Sequence, residues 1–168
     1  MNPRSLILFL FIGTVIMIAV MRWHGAPLVT PVSKAGIVSL ELAKTTEQSN
    51  IILHQWKQDQ VVEQAITNTY IDFLFLLFYS LFLYAVCWSY SLRQQPLWAS
   101  VSRILAITAL LAGLCDVIEN YFMLQMLEQQ VTETRAYLSW LFAAIKFMLL
   151  IPVVLWSLIC LPLLFRKK

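Results

Sequence analysis

Four long apolar runs, broken by short polar stretches, constrain this chain more than any other feature. They begin near Leu6, Tyr70, Ile104 and Tyr137. Hydrophobic residues make up 60% of the 168 and charged residues only 12%, well off the balance of a water-soluble domain. A soluble fold of this length has no core large enough to hide that much apolar surface. In a bilayer each run instead closes its backbone hydrogen bonds within a helix. The sequence therefore predicts an all-α integral membrane four-helix bundle. Its spans cover about 6–23, 70–90, 104–127 and 137–165, in a single domain over residues 1–168.

The first run, Leu6 to Met21, is short for a span, about 24 Å at 1.5 Å per residue, and Trp23 extends it into the interface. Its basic start also suits a signal peptide. However, no A-x-A site follows and Pro27 comes directly after Ala26, so an uncleaved anchor is expected. Tyr70, Trp88, Tyr90, Trp98, Tyr137 and Trp140 mark span ends, as an aromatic belt does. Pro152 is expected to kink the fourth span.

Basic residues set the expected orientation. Arg4 precedes the first span, Arg93 and Arg103 flank the second connection, and the tail ends Arg166-Lys167-Lys168. The first and third connections balance their lysines and Arg135 with acids. The positive-inside rule then places both termini in the cytoplasm and these two connections outside. The long first connection, 24–69, is expected to form amphipathic helices from Ser39 onward and to lid the bundle. Thr45 with Gln48 suggests a capping box, and Asp59 suggests the cap of a further helix running into the second span.

Ionisable groups within a span cost about 2.5–3.5 kcal/mol each on insertion scales, so each needs a reason. Asp72, Asp116, Glu119 and Lys146 are such groups. Asp116, Glu119, Asn120 and Met123 share one helix face, as do Asp72 and Tyr79. Counted from the outer ends, Glu119, Lys146 and Asp116 lie roughly 12, 14 and 17 Å deep, and Tyr79 at a similar level. Three carboxylates against one ammonium leave two formal negative charges, which a proton or a cation would neutralise. Glu41 in the first connection adds to the excess. The expected ligand-binding set is thus Asp116, Glu119, Asn120, Lys146, Asp72, Tyr79 and Glu41. It would take a small molecule, an ion or a lipid headgroup. A salt bridge that merely fixes helix register is the plainer reading of the same residues.

Other chemistry has little material. The three cysteines Cys87, Cys115 and Cys160 sit in apolar runs without a C-x-x-C pair, as small packing residues do. His24 and His54 lie outside the spans, and His54 near Trp56 reads as an interfacial pair. Met123, Met126 and the stripe Phe73, Phe75, Phe78, Phe82 read as packing or lipid surface. No metal site, phosphate loop or nucleophile elbow is present in the motifs, and the cofactor stays unknown. Basic residues form no face interleaved with aromatics, which argues against nucleic acid and leaves the lipid bilayer as the evident partner.

Gly36-Ile37-Val38-Ser39-Leu40-Glu41-Leu42-Ala43, Asp72-Phe73-Leu74-Phe75, Asp116-Val117-Ile118-Glu119-Asn120 and Lys146-Phe147 together resemble a family of uncharacterised bacterial four-span membrane proteins. The resemblance covers most of the chain. It implies a bacterial inner membrane and four spans, and it brings no activity. Binding, and movement, of a ligand at the cluster is the leading expectation. An enzyme using carboxylates as acid and base on a lipid, or an accessory subunit, are the alternatives.

Overall fold

The computed structural model describes residues 3–166 and is all-helical among them. Lys167 and Lys168, two members of the basic tail, lie outside the described residues. Helices α1 (Pro3–His24), α4 (Val62–Ser91), α5 (Pro96–Glu128) and α6 (Glu133–Phe165) are each long and apolar enough to cross a membrane. This is a multi-pass membrane architecture in a lipid environment. Two short helices, α2 (Ile37–Glu41) and α3 (Thr46–Gln58), lie between α1 and α4. Residues 25–61 form a cap over one end of the bundle.

The long helices overrun the apolar runs that announce them, because local signals rather than hydropathy end a helix. Pro96 occupies the first turn of α5, where its missing N–H costs nothing. The Thr132 side chain accepts from the Arg135 amide and starts α6. Arginines close two helix ends. Arg135 donates to the Gln125 carbonyl in the last turn of α5 and to the Gln130 carbonyl just beyond it, and Arg93 donates to the Leu164 carbonyl of α6. α6 stays one continuous helix across Pro152 and Pro162.

α4 is the central helix and packs against α1, α5 and α6, while α5 and α6 pack on each other. The buried stripe of α5 grades along its length. It runs from small residues (Ala99, Ala106, Ala109, Gly113) through Asp116, Glu119 and Asn120 to Met123 and Met126. Small residues let helices approach closely in lipid, where hydrophobicity does not drive them together. At Gly113 an added Cβ would lie 2.9 Å from the Ser80 Cβ, which shows how tightly α4 and α5 meet. Two hydroxyls within the spans are satisfied by their own helix: Ser80 donates to the Leu76 carbonyl and Thr14 to that of Leu10. Leu8, Phe9, Ile104, Leu111, Met148 and Leu158 point outward, an apolar coat suited to lipid.

Three apolar clusters stack along the bundle. At the cap end Leu28, Leu40, Ile52, Leu53 and Trp56 pack on Ala65, Met123, Met126 and Ala136. At mid-height Leu76, Leu83, Ala106, Ala109 and Val153 fill the space between α4, α5 and α6. At the far end Ile7 and Leu10 of α1 meet Ala85, Val86, Cys160 and Leu164. Half of the phenylalanine stripe belongs here: Phe78 meets Phe9 and Phe82 meets Phe11 with tilted rings, joining α1 to α4, while Phe73 and Phe75 pack at mid-height.

Three expectations for the first connection change. Helix begins at Ile37, before Ser39, and breaks again between α2 and α3. Asp59 ends α3 instead of starting α4, and its carboxylate accepts from Gln55 Nε2 one turn back. Trp56 is not interfacial. It is fully buried, and its Nε1 donates to the Leu28 carbonyl (3.0 Å) and to Ser33 Oγ (3.2 Å), while His54 stays exposed. A buried indole N–H needs a partner, and the loop ahead of α2 supplies it.

Candidate functional site: a buried carboxylate and lysine cluster

The polar residues of α4, α5 and α6 meet, and the cap joins them. The Lys146 ammonium of α6 lies 2.6 Å from Glu119 Oε2, 2.9 Å from Asp116 Oδ1 and 3.3 Å from Glu41 Oε2. The contacts to Asp116 and Glu41 are also hydrogen bonds, whereas that to Glu119 is short but off hydrogen-bond alignment. Tyr79 of α4 donates its hydroxyl to Asp116 Oδ2 at 2.6 Å. Asn120 of α5 donates its amide to Asp72 Oδ2 of α4 at 2.7 Å. Asp72 in turn lies within Coulomb reach of Asp116, Glu41 and Lys146. All seven candidates are buried, Glu119 and Asn120 completely.

Local structure explains the meeting. Asp116, Glu119 and Asn120 fall on the α5 stripe that faces α4 and α6, continuous with Ala109, Gly113 and Met123. Lys146 falls on the α6 stripe of Ala136, Ser139, Ala143 and Val153. The small residues beside it bring the backbones near enough for the lysine to reach two acids of the facing helix. Glu41 arrives differently. It is the last residue of α2, and burial of its neighbour Leu40 under the cap turns it toward Lys146. Its reach could not be counted from helix spacing, since no continuous helix connects it to the spans.

Charge does not balance. Four carboxylates (Glu41, Asp72, Asp116, Glu119) surround one ammonium, a formal excess of minus three with all groups ionised. Asp116 is the best-satisfied acid, with a donor on each oxygen. Glu119 is the least: its Oε1 is buried with no hydrogen-bond partner, as are Asn120 Oδ1 and, on α6, Ser139 Oγ. Buried acceptors without donors are uncommon and costly. The arrangement can accept protons or a cationic group, because attraction to the excess carboxylates offsets the desolvation cost of a buried cation.

Asn68 and Ser139 escape the sequence reading. The Asn68 amide donates to the Met21 carbonyl and so ties α4 to the end of α1, where His24 Nδ1 lies 3.5 Å away. Asn68 lies just ahead of the second expected span and Ser139 near the start of the fourth, where a polar side chain is no signal by itself. No group of His, Cys, Asp and Glu among the described residues is arranged to hold a metal ion. Two open surface grooves lie on the cap. One, of about 630 Å³, runs between Lys44–Glu47 and Glu133–Leu138; the other, of about 600 Å³, passes His54. Neither is lined by a residue of the cluster.

No protein family, curated protein or solved structure matches this chain. What the site does must be argued from its own chemistry.

Proposed function

We propose that this chain is a multi-pass protein of the bacterial inner membrane, both termini cytoplasmic, that binds a proton or a small cationic group at the Glu41–Asp72–Asp116–Glu119–Lys146 cluster. The cationic group belongs to a small molecule, an ion or a lipid headgroup that reaches the cluster from the capped side. One observation carries the reading: three buried carboxylates contact one ammonium, a fourth, Asp72, lies beside them, and Glu119 Oε1 has no donor. In a low dielectric such an excess of like charge is neutralised by bound protons or cations.

The packing favours binding over passage. Toward the far end the cluster is followed by Leu76, Leu83, Ala106, Ala109 and Val153, an apolar stretch in which the buried hydroxyls of Ser80 and Ser102 are already paired, with the Leu76 carbonyl and with Trp156 Nε1. An enzymatic role finds less support, because the point between Asp116 and Glu119 is filled by the Lys146 ammonium. A register-setting role has one specific observation in its favour, the full satisfaction of Asp116 by Tyr79 and Lys146.

The test is reaction with dicyclohexylcarbodiimide, an apolar reagent that modifies protonated carboxyls in membranes, on the protein in lipid nanodiscs. Adducts are mapped by mass spectrometry, and the carbonyl stretch of protonated carboxyl groups is followed by infrared spectroscopy. We expect modification within Asp116–Asn120 and loss of the infrared band in Glu119→Gln. No adduct, with identical spectra for wild type and Glu119→Gln, would leave only the register-setting role.

A further inference from the structure

The cap is built as a unit. Ser33 Oγ donates to the Leu28 carbonyl (2.7 Å), Thr30 and Ser33 hydroxyls share a hydrogen bond (2.7 Å), and Trp56 Nε1 reaches across from α3 to the same two groups. Thr45 caps α3 by accepting from the Gln48 amide, and Gln48 Oε1 accepts from the Lys44 amide. These bonds all run within the cap. By contrast, beyond its apolar packing on Met123, Met126 and Ala136 and the backbone bonds at its two ends, the side-chain polar ties from the cap to the long helices among the described residues are two. Glu41 contacts Lys146, and the Lys44 ammonium lies 4.3 Å from the centre of the Trp140 ring.

The backbone bends sharply at two places in this segment. Gly36, just before α2, has φ 61 and ψ −130, a conformation that is essentially glycine's alone. Gln60, between α3 and α4, has φ 58, in the left-handed region. One bend precedes the residue that enters the cluster, and the other joins the cap to the central helix. Of the three carboxylates on Lys146, Glu41 makes the longest contact, and it alone comes from outside the spans. It faces Lys146 on α6, Glu119 on α5 and Asp72 on α4.

We infer that residues 25–61 are a gate over the cluster, latched by the Glu41–Lys146 ion pair. Because the latch is itself a member of the site, gate position and site occupancy are linked. A cation that satisfies Glu41 in place of Lys146 releases the cap; an empty site leaves the Glu41–Lys146 pair to hold it shut. The inference rests on the reading of the cluster as a binding site and adds how that site is reached. Linkage requires only that the two gate positions differ in affinity for the bound species.

Ser139 offers the probe. It is fully buried on the cluster-facing side of α6, two turns toward the cap from Lys146. Ser139→Cys, in a chain whose three native cysteines are replaced by alanine, is reacted with a charged maleimide in lipid nanodiscs. We expect slow labelling with Glu41 intact and labelling roughly tenfold faster with Glu41→Gln, equivalent to ~1.4 kcal/mol of latch strength. Lys44→Ala leaves the cluster untouched and releases the second tie, so a smaller acceleration is expected. Thermal unfolding of each variant checks that it folds. Should Glu41→Gln fold poorly, Lys44→Ala alone decides. Equal rates in wild type and in the folded variants overturn the gate. Carbodiimide modification that persists alongside equal rates removes the gate and leaves the binding site standing. Faster labelling without any carbodiimide adduct overturns the binding reading and, with it, the proposed linkage.

Discussion

Replacing Lys146 by methionine keeps much of the side chain's length and apolar stem while deleting the cluster's one cation. Three carboxylate oxygens at 2.6, 2.9 and 3.3 Å lose their partner at a residue only 5% exposed. At an effective dielectric constant of ~20, each such contact between unit charges has a gross energy of about 5–6 kcal/mol. That gross figure overstates the loss, because methionine also escapes the desolvation that the ammonium suffers, and carboxylates left alone take up protons. Breaking a buried pair typically costs about 3–5 kcal/mol net, and the surplus of acids here argues for the lower end. For a chain of this length ~3 kcal/mol lowers the thermal midpoint by roughly 10 °C. The assay is thermal unfolding of purified protein in detergent, followed by intrinsic tryptophan fluorescence. Adding Glu119→Gln to Lys146→Met should recover about 0.5–3 kcal/mol, since it removes an acid that the lysine no longer balances. A midpoint unchanged in Lys146→Met, or purely additive effects in the double variant, would refute the claim that these charges form one buried network.

Two further outcomes follow from the packing. Trp56→Phe removes the donor to the Leu28 carbonyl and Ser33 Oγ and leaves a gap where the indole was, at a cost of about 1–3 kcal/mol. Limited proteolysis should then cut within residues 25–61 faster than in wild type, and an unchanged rate would show that the cap is not braced through this indole. Gly113→Val places methyl groups against Ser80 where even a Cβ is too close, so α4 and α5 must separate at a cost of about 1–3 kcal/mol. A lowered thermal midpoint is expected, and an unchanged one would contradict the close approach of these helices.

Much of the candidate site is legible in the sequence because a helix is a ruler. Asp116, Glu119, Asn120 and Met123 recur at helical spacing, and a charge in an apolar run is too costly to face lipid, so the facing surfaces of α5 and α6 announce themselves. The pairings are less accessible. Helical spacing puts Asp116 and Glu119 equally within reach of Lys146, and only packing decides that Tyr79 takes the second oxygen of Asp116 while Asn120 turns to Asp72. Along the cap the same kind of reasoning fails at Asp59, whose side chain suits the start of a helix but ends one here. Trp56 shows why. In a short amphipathic segment an indole fits the interface and the core equally well, and the choice depends on whether distant backbone offers its N–H a partner.

The sequence by itself determined that the chain crosses a membrane as helices, since unbroken apolar runs leave the backbone no other way to satisfy its hydrogen bonds in lipid. It also determined which acids and which lysine lie within those runs. Away from those charged residues, tertiary structure alone decided which apolar face of a helix is buried and which meets lipid. In water those faces differ in polarity, but in a bilayer both are apolar, and only steric fit at residues such as Gly113 and Ala143 separates them. It also decided that Glu41, far from every span in sequence, completes the surroundings of Lys146. That contact exists because the cap folds back on its own hydrogen bonds, a long-range closure that no local pattern encodes.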